Sequence, residues 1–322
     1  ARDWDLPALL WRSETSSSSQ IERLTSSVRN VALAELSDRA PANALLIAGN
    51  VAAMREALRQ GGSVSIDSIC RIHDVLMAGT SEIEGLRDEQ VWIGGTPYSP
   101  HGASFVPPHA SRVPECIDDL IGFGVREDVP PVAKEAIFHA QFETIHPFTD
   151  GNGRTGRALV HRMLANDEVL LHSTLPVSAG LLHDVERYMK ALDAYHEGEV
   201  EPIISCFADA LELAVVIGLR IAADVDTVLD AWRAANTDRA GSASYSLPAL
   251  LVEQPVVNVA YVADRLGITD RAARNLIETA CERSILSKMG NAKRGAFYQA
   301  DELIEILEEA SSLQGIRRIA AR

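Results

Sequence analysis

Apolar residues recur at three- and four-residue intervals along most of the chain, and this helical period constrains the fold more than any other feature. It runs through QIERLTSSVRNVALAEL and NALLIAGNVAAMREAL, then through SIDSICRIHDVLM, where Ser65 or Asp67 can serve as cap. It resumes from Asp184 to Trp232, broken mainly at Gly198 and Pro202. One segment departs from it. Between Val91 and Pro108 stand Gly94, Gly95, Pro97, Pro100, Gly102, Pro107 and Pro108 around the β-prone pieces VWI and SFV, a texture that fits a hairpin or a surface loop. Trp92 within it is expected in the core. The small, polar stretch RAANTDRAGSASYS at 233–246 marks a boundary. Beyond it, VAYVADRLGITDRAARNLIETACERSIL reads as a helix, a turn containing Gly267 and a second helix starting near Thr269. LSKMGNAKRGAFYQA would then form a hairpin wing with Gly290-Asn291 at its turn. The expected fold class is mainly α, with a C-terminal winged helix-turn-helix.

Composition excludes several functions. A formal charge of -15 argues against the whole chain being a nucleic-acid binder and leaves room for a local basic patch. Residues 258–298 hold seven Lys or Arg against four Asp or Glu, which makes Arg271, Arg274, Lys293 and Arg294 candidate DNA contacts. Protein docking is the other use of such a domain. Cys70, Cys116, Cys206 and Cys281 are scattered with no C-x-x-C pair and read as buried free thiols, with neither zinc nor a disulfide indicated. His161, His172, His183 and His196 lack metal-ligand spacing and read as structural or surface residues. No run approaches the roughly 20 apolar residues that cross a bilayer, and the first residues lack a signal-peptide pattern. A cytoplasmic location without membrane contact is expected.

The chemistry concentrates in HPFTDGNGRTGR, residues 146–157, which joins two helical stretches. Pro147 disfavours helical geometry at His146, so the histidine should sit where the first helix ends. Gly151, Asn152 and Gly153 can adopt positive φ and point backbone N–H groups into one concavity where the second helix begins. A helix N-terminus favours phosphate, and Arg154 and Arg157 add two guanidiniums near the same opening. Asp150 fits beside phosphates if Mg²⁺ lies between. His146 is left as the proton acceptor. The G-x-x-x-x-G spacing of Gly151 and Gly156 imitates an NTPase phosphate loop, but Arg157 and Ala158 stand where that loop needs Lys and Ser or Thr.

This stretch resembles the pattern H-P-F-x-[D/E]-G-N-G-R-x-x-R of Fic-domain proteins at every defined position. The similarity extends through CRIHDVLMAG, VWIGG, FVPPHASRVPECIDDL and TLPVSAGLL, over roughly residues 18–215. It implies an all-helical Fic core with a short β-hairpin flap that holds a target segment. The implied activity is transfer of AMP from ATP to a Ser, Thr or Tyr hydroxyl of an unidentified target protein. The implied roles are His146 as base, Asp150 as Mg²⁺ ligand, Asn152 and Gly153 at the α-phosphate, and Arg154 and Arg157 at the outer phosphates. Tyr188 and Leu192 would lie near the base. Fic proteins with autoinhibition carry [S/T]-x-x-x-E-[G/N], which Ser18 and Glu22 resemble, with Arg23 where Gly or Asn is expected. The resemblance implies that Glu22 pairs with Arg157, and it makes a homodimer an expectation. The expected organisation is an N-terminal helical region at 1–45 with the candidate inhibitory helix, a core at 46–235, a linker at 236–246 and the winged helix at 247–322. Two alternatives stay open: a Fic enzyme that uses another phosphate-containing donor or removes AMP, and a DNA-binding regulator whose Fic core only senses a nucleotide.

Overall fold

Helix caps and breakers fall where the periodicity ends, and they set the element order. The computed structural model describes residues 6–59, 62–80, 85–96, 98–170, 174–239, 241–291 and 295–321. The first ten helices are α1 (Leu6–Ile21), α2 (Val28–Ala34), α3 (Ala42–Arg59), α4 (Ile66–Leu76), α5 (Val113–Gly124), α6 (Pro131–Ile145), α7 (Asn152–Asn166), α8 (Val177–His183), α9 (Val185–His196) and α10 (Glu201–Ala235). Then come α11 (Leu247–Glu253), β1 (Val256–Val257), α12 (Val259–Leu266), α13 (Asp270–Glu282), β2 (Ser287–Met289), β3 (Phe297–Gln299), α14 (Asp301–Ser311) and α15 (Leu313–Ala320). The fold is mainly α, as the periodicity implies. Ser65 caps α4 in a reciprocal pair with Ser68. Gly267 ends α12 at φ 64, and Thr269 caps α13. The strands form one antiparallel sheet in the order β1-β3-β2, with Tyr298 opposite Val257 on one side and Lys288 on the other.

α6 and α7 lie between two hydrophobic clusters. α6 gives Ala136 and Ala140 to one cluster and Phe138, Phe142 and Ile145 to the other. Twelve of the fifteen residues of α7 are buried, so the helix has no solvent face along which it could shift cheaply. Each buried Phe contributes roughly 1.5–3 kcal/mol by leaving water. The larger cluster runs without a break from Leu9 in α1 through Phe207 in α10 to Leu250 in α11 and Ile319 in α15.

α1 is the unusual element. Arg12 to Ser19 are eight consecutive polar residues, none more than 4% exposed. Short serines let six neighbouring helices approach closely, and most of the polar groups find partners across the fold, the buried hydroxyls of Ser16 and Ser17 excepted. Arg12 bonds Glu35 and the Glu253 carbonyl, Ser13 donates to the Ala310 carbonyl (3.2 Å), and Asn50 donates to the Thr15 carbonyl and the Ser19 hydroxyl (both 3.2 Å). Glu14 accepts from the Ser178 hydroxyl and from its N–H (2.7 Å), with His161 Nε2 at 3.1 Å.

Several sequence expectations change. Helical periodicity from Gln20 onward suggested one helix through Leu36, whereas α1 ends at Ile21 and α2 begins at Val28. The 91–108 segment makes only the isolated bridges Ile93–Phe105 and Thr96–Ser99 among its described residues. Its prolines lack the N–H groups that a longer ladder requires. Trp92 is half-buried and donates its indole N–H to the Thr96 carbonyl (2.8 Å), which shapes this segment rather than the core. Among the cysteines Cys206 is buried and the other three are half-buried. α10 is long and apolar enough to cross a membrane by length and composition, a property the short apolar runs did not reveal. Here its inward residues, Phe207, Ile217, Val225 and Leu229 among them, build the core.

Candidate active site

α6 ends because His146 turns left-handed, at φ 50, with Pro147 behind it. Asn152 braces the turn that follows. Its Oδ1 accepts from Phe148 N–H and its Nδ2 donates to the Phe148 carbonyl (both 2.9 Å), so its side chain faces inward and only its backbone faces the site. His73 of α4 stacks on Phe148 with ring centroids 3.7 Å apart, and its Nε2 lies 3.0 Å from the Asp150 carbonyl. Of the three residues expected at positive φ, only Gly151 adopts it, at φ 77; Asn152 and Gly153 form the first turn of α7. The first helical bond of α7 runs from Thr155 N–H to the Gly151 carbonyl (3.0 Å). The N–H groups of Asn152, Gly153 and Arg154 precede it and point out of the helix end.

These groups open on a cavity of about 600 Å³, lined by the loop, by Ile93 and Phe105 of the 91–108 segment, and by Met189, Leu192 and Asp193 of α9. Phe105 stacks on His196 at 3.8 Å, so His196 borders the site rather than free surface. His146 Nδ1 lies 3.3 Å from the Glu143 carbonyl. That contact places the proton on Nδ1 and leaves Nε2 as acceptor. Burial pushes the imidazole down to about 4.

Arg157 is 3% exposed. Its Nε donates to the Ser18 hydroxyl (2.8 Å), and its Nη2 donates to the Ser18 carbonyl (2.9 Å) and to Glu22 Oε1 (2.7 Å). Burial works against its charge, but Glu22 holds it ionised. The Glu22 carboxylate also lies over the first turn of α7, where a Cβ added to Gly153 would run into it. A carboxylate thus occupies the position at which the helix end favours an anion. Ser18 and Glu22 are therefore both on Arg157, one turn apart, with Ser18 inside α1 rather than at its cap.

Arg154 is buried beside Asp150, with Nη2 3.5 Å from Oδ2, while its Nε has no hydrogen-bond partner. Asp150 is well exposed, and its Oδ1 accepts from Gly151 N–H (2.7 Å). Among the described residues no group of three His, Cys, Asp or Glu could hold a metal alone. One exposed carboxylate beside an anion seat suits Mg²⁺ that arrives with phosphates, since that ion keeps waters and takes few protein ligands. Tyr188 borders the cavity but is 1% exposed, and its hydroxyl lies 2.7 Å from His139 Nε2. Glu143 also lines the cavity, and burial pushes its carboxyl up to about 8, against the pull of Arg157 and with the push of Glu22.

On the C-terminal side, Arg271 and Arg274 are exposed on α13, and Lys293 and Arg294 lie outside the described residues, as does His172. Sequence reasoning missed Arg87, Glu143 and the Glu14–His161–Ser178 contact. It met His73 and His196 only as ordinary helix or surface residues. Their partners lie far along the chain, and no local spacing signals them.

Residues 63–164 match the model of the Fic/DOC family. The chain carries a Fic domain. Similar proteins include a probable protein adenylyltransferase of Aquifex aeolicus, 33% identical over 138 residues, 42% of this chain and 38% of that protein. Another is protein adenylyltransferase fic-1 of Caenorhabditis elegans, 25% identical over 162 residues, 49% of this chain and 29% of the relative. The chain thus spans less than two fifths of the length of these curated relatives. A Fic family protein from Desulfovibrio desulfuricans G20 shares the fold at a TM-score of 0.55 and 22% identity, over 91% of this chain and 86% of that one. A structure of Fic-1 from Caenorhabditis elegans does so at 0.50 and 21%, over 65% and 63%.

Proposed function

We propose that the chain is a protein adenylyltransferase held inactive by Glu22. The observation that carries this reading is the seat of the Glu22 carboxylate, over the α7 N-terminus and on Arg157, with Arg154 Nε unbonded beside it. An outer phosphate of ATP would claim the same donors. Asp150 would hold Mg²⁺, which supplies charge neutralisation on the leaving pyrophosphate. His146 Nε2 takes the proton of a Ser, Thr or Tyr hydroxyl as that oxygen bonds to the α-phosphorus and the bond to the pyrophosphate oxygen breaks. The backbone N–H groups at Asn152 and Gly153 stabilise the α-phosphate, and the arginines stabilise the departing charge. ATP and a protein target follow as partners, and we place the reaction in the cytoplasm.

The test uses ATP labelled at the α- or the γ-phosphate, with Mg²⁺. Wild type, Glu22→Gly and His146→Ala are compared. The reading expects protein-bound α-label without γ-label, increased by Glu22→Gly and absent from His146→Ala. Label from the γ-phosphate, or α-label that survives His146→Ala, would sink it.

A second reading concerns the C-terminal region alone. We propose that α12 to β3 form a winged helix that contacts DNA, which the exposure of Arg271 and Arg274 on α13 supports. Salt-sensitive mobility shifts lost in Arg271→Ala and Arg274→Ala are expected, and binding that ignores both changes would refute it.

A further inference from the structure

Arg87 is 5% exposed, and its side chain is given over entirely to main-chain carbonyls. Its Nε donates to the His146 carbonyl (2.8 Å), and Nη2 donates to the Ile145 carbonyl (3.4 Å) and to the Pro108 carbonyl. Nη1 donates to the Glu89 carbonyl (2.8 Å), and the Arg87 N–H donates to the Pro147 carbonyl (2.9 Å). Gln90 adds a bond from Nε2 to the Pro107 carbonyl (2.9 Å). The carbonyls of Ile145 and His146 are the orphan acceptors of the α6 C-terminus, where a cation is also favoured by the helix dipole. Glu89 stands two residues before the 91–108 segment and Pro108 ends it, and Ile93 and Phe105 of that segment line the cavity. One rigid fork therefore ties the base to both ends of the flap. Lysine, a point donor on a flexible stem, cannot span these acceptors.

We infer that Arg87 is the positioning residue of this site: it fixes the flap and His146 in one register, so that a polypeptide laid along the flap presents its hydroxyl to Nε2. This rests on the transfer reaction proposed above. The guanidinium charge also disfavours protonation of His146, while Glu22 and Asp150, which face the same ring, favour it, and burial outweighs all three.

The test compares Arg87→Gln and Arg87→Lys with the unchanged residue in the full chain, by two readouts. In nucleotide-free protein with labelled histidine rings, NMR follows the titration of His146, with His139, which burial holds down to about 3, as the internal check on folding. In Arg87→Gln the His146 midpoint should rise by about one pH unit while His139 stays put. In the Glu22→Gly background, Arg87→Lys should bind Mg²⁺-ATP within about twofold of its parent by calorimetry, while α-label transfer falls roughly tenfold or more, as expected for lost orientation. Should Arg87→Gln release His139 as well, Arg87→Lys decides by the transfer readout alone, because lysine keeps the positive charge and should leave the His146 midpoint near that of its parent. An unmoved His146 midpoint with transfer within about twofold overturns the inference, and so does a parallel loss of ATP binding and transfer. Absence of label in Glu22→Gly itself would strike the proposed reaction, whereas the NMR readout would still judge Arg87.

Discussion

At Arg23 the chain turns left-handed, φ 62, to close α1. Leu24 N–H returns to the Ser19 carbonyl and Arg23 N–H to the Gln20 carbonyl (both 2.9 Å), the double bond pattern of a Schellman end, with Glu22 at the C-cap. This explains in physical terms why Gly or Asn was expected after the acid: the position needs a residue that tolerates positive φ. Arg23→Gly should stabilise the protein by about 0.5–1 kcal/mol, because an L-residue is strained there. The melting temperature would rise by about 1–2 °C, and a fall would show that the Arg23 side chain holds the turn. His146 gives a second prediction at this scale. Its folded pKa lies below the ordinary histidine value, so the ring is deprotonated, and able to act as base, at every pH above about 4. Glu22→Gly removes a carboxylate that favours the protonated ring, so in that variant the acid limb of the rate profile should fall at or below about pH 4 and not near 6.5; a midpoint at 6.5 would mean that the ring is solvated in the active form. That His146, Asp150, Arg154 and Arg157 line one cavity was legible in the sequence because they stand within twelve residues that join two helices. Arg87 was not, since each of its acceptors depends on a fold that no spacing announces.

At the scale of the element, α1 carries the argument. A helix polar on every side reads as solvated or unstable, and the run RSETSSSS offers no apolar stripe. Its burial became visible only once partners from α3, α7, α8, α11 and α14 were placed around it. The segment bearing Glu22 is strapped to α14 on both flanks: Gln20 Nε2 donates to the Ser311 carbonyl and Val28 N–H donates to Glu308 Oε1 (both 2.6 Å). Glu308→Ala frees one flank, at about 1 kcal/mol for the lost hydrogen bond. Label transfer should increase several-fold in an otherwise wild-type chain and stay unchanged when Glu22→Gly is already present. An equal increase in both backgrounds would show that the strap acts elsewhere than on Glu22.

Over the whole molecule, the sequence boundary at 236–246 does not coincide with a break in packing. Leu247, Leu250 and Leu251 join the same cluster as Phe207 and Leu229, and Arg283 pairs with Asp238 at 2.7 Å. Small, polar composition signals exposed chain, but it carries no information on whether the flanking helices bury one core or two. Calorimetry should therefore show one cooperative transition, with calorimetric and van't Hoff enthalpies in agreement; two separated endotherms would mean that the C-terminal region melts alone. The placement of α1 also sets an order in time. Ser13 and its acceptor Ala310 are 297 residues apart, so on a ribosome adding about 5–20 residues per second the two are made some 15–60 s apart. Every residue of the His146–Arg157 loop is synthesised by about the middle of that interval, while α14, which straps the Glu22 segment, is still missing. A nascent chain accordingly carries the proposed catalytic loop before the full seat of its restraint exists, and synthesis of the C-terminal helices completes that seat.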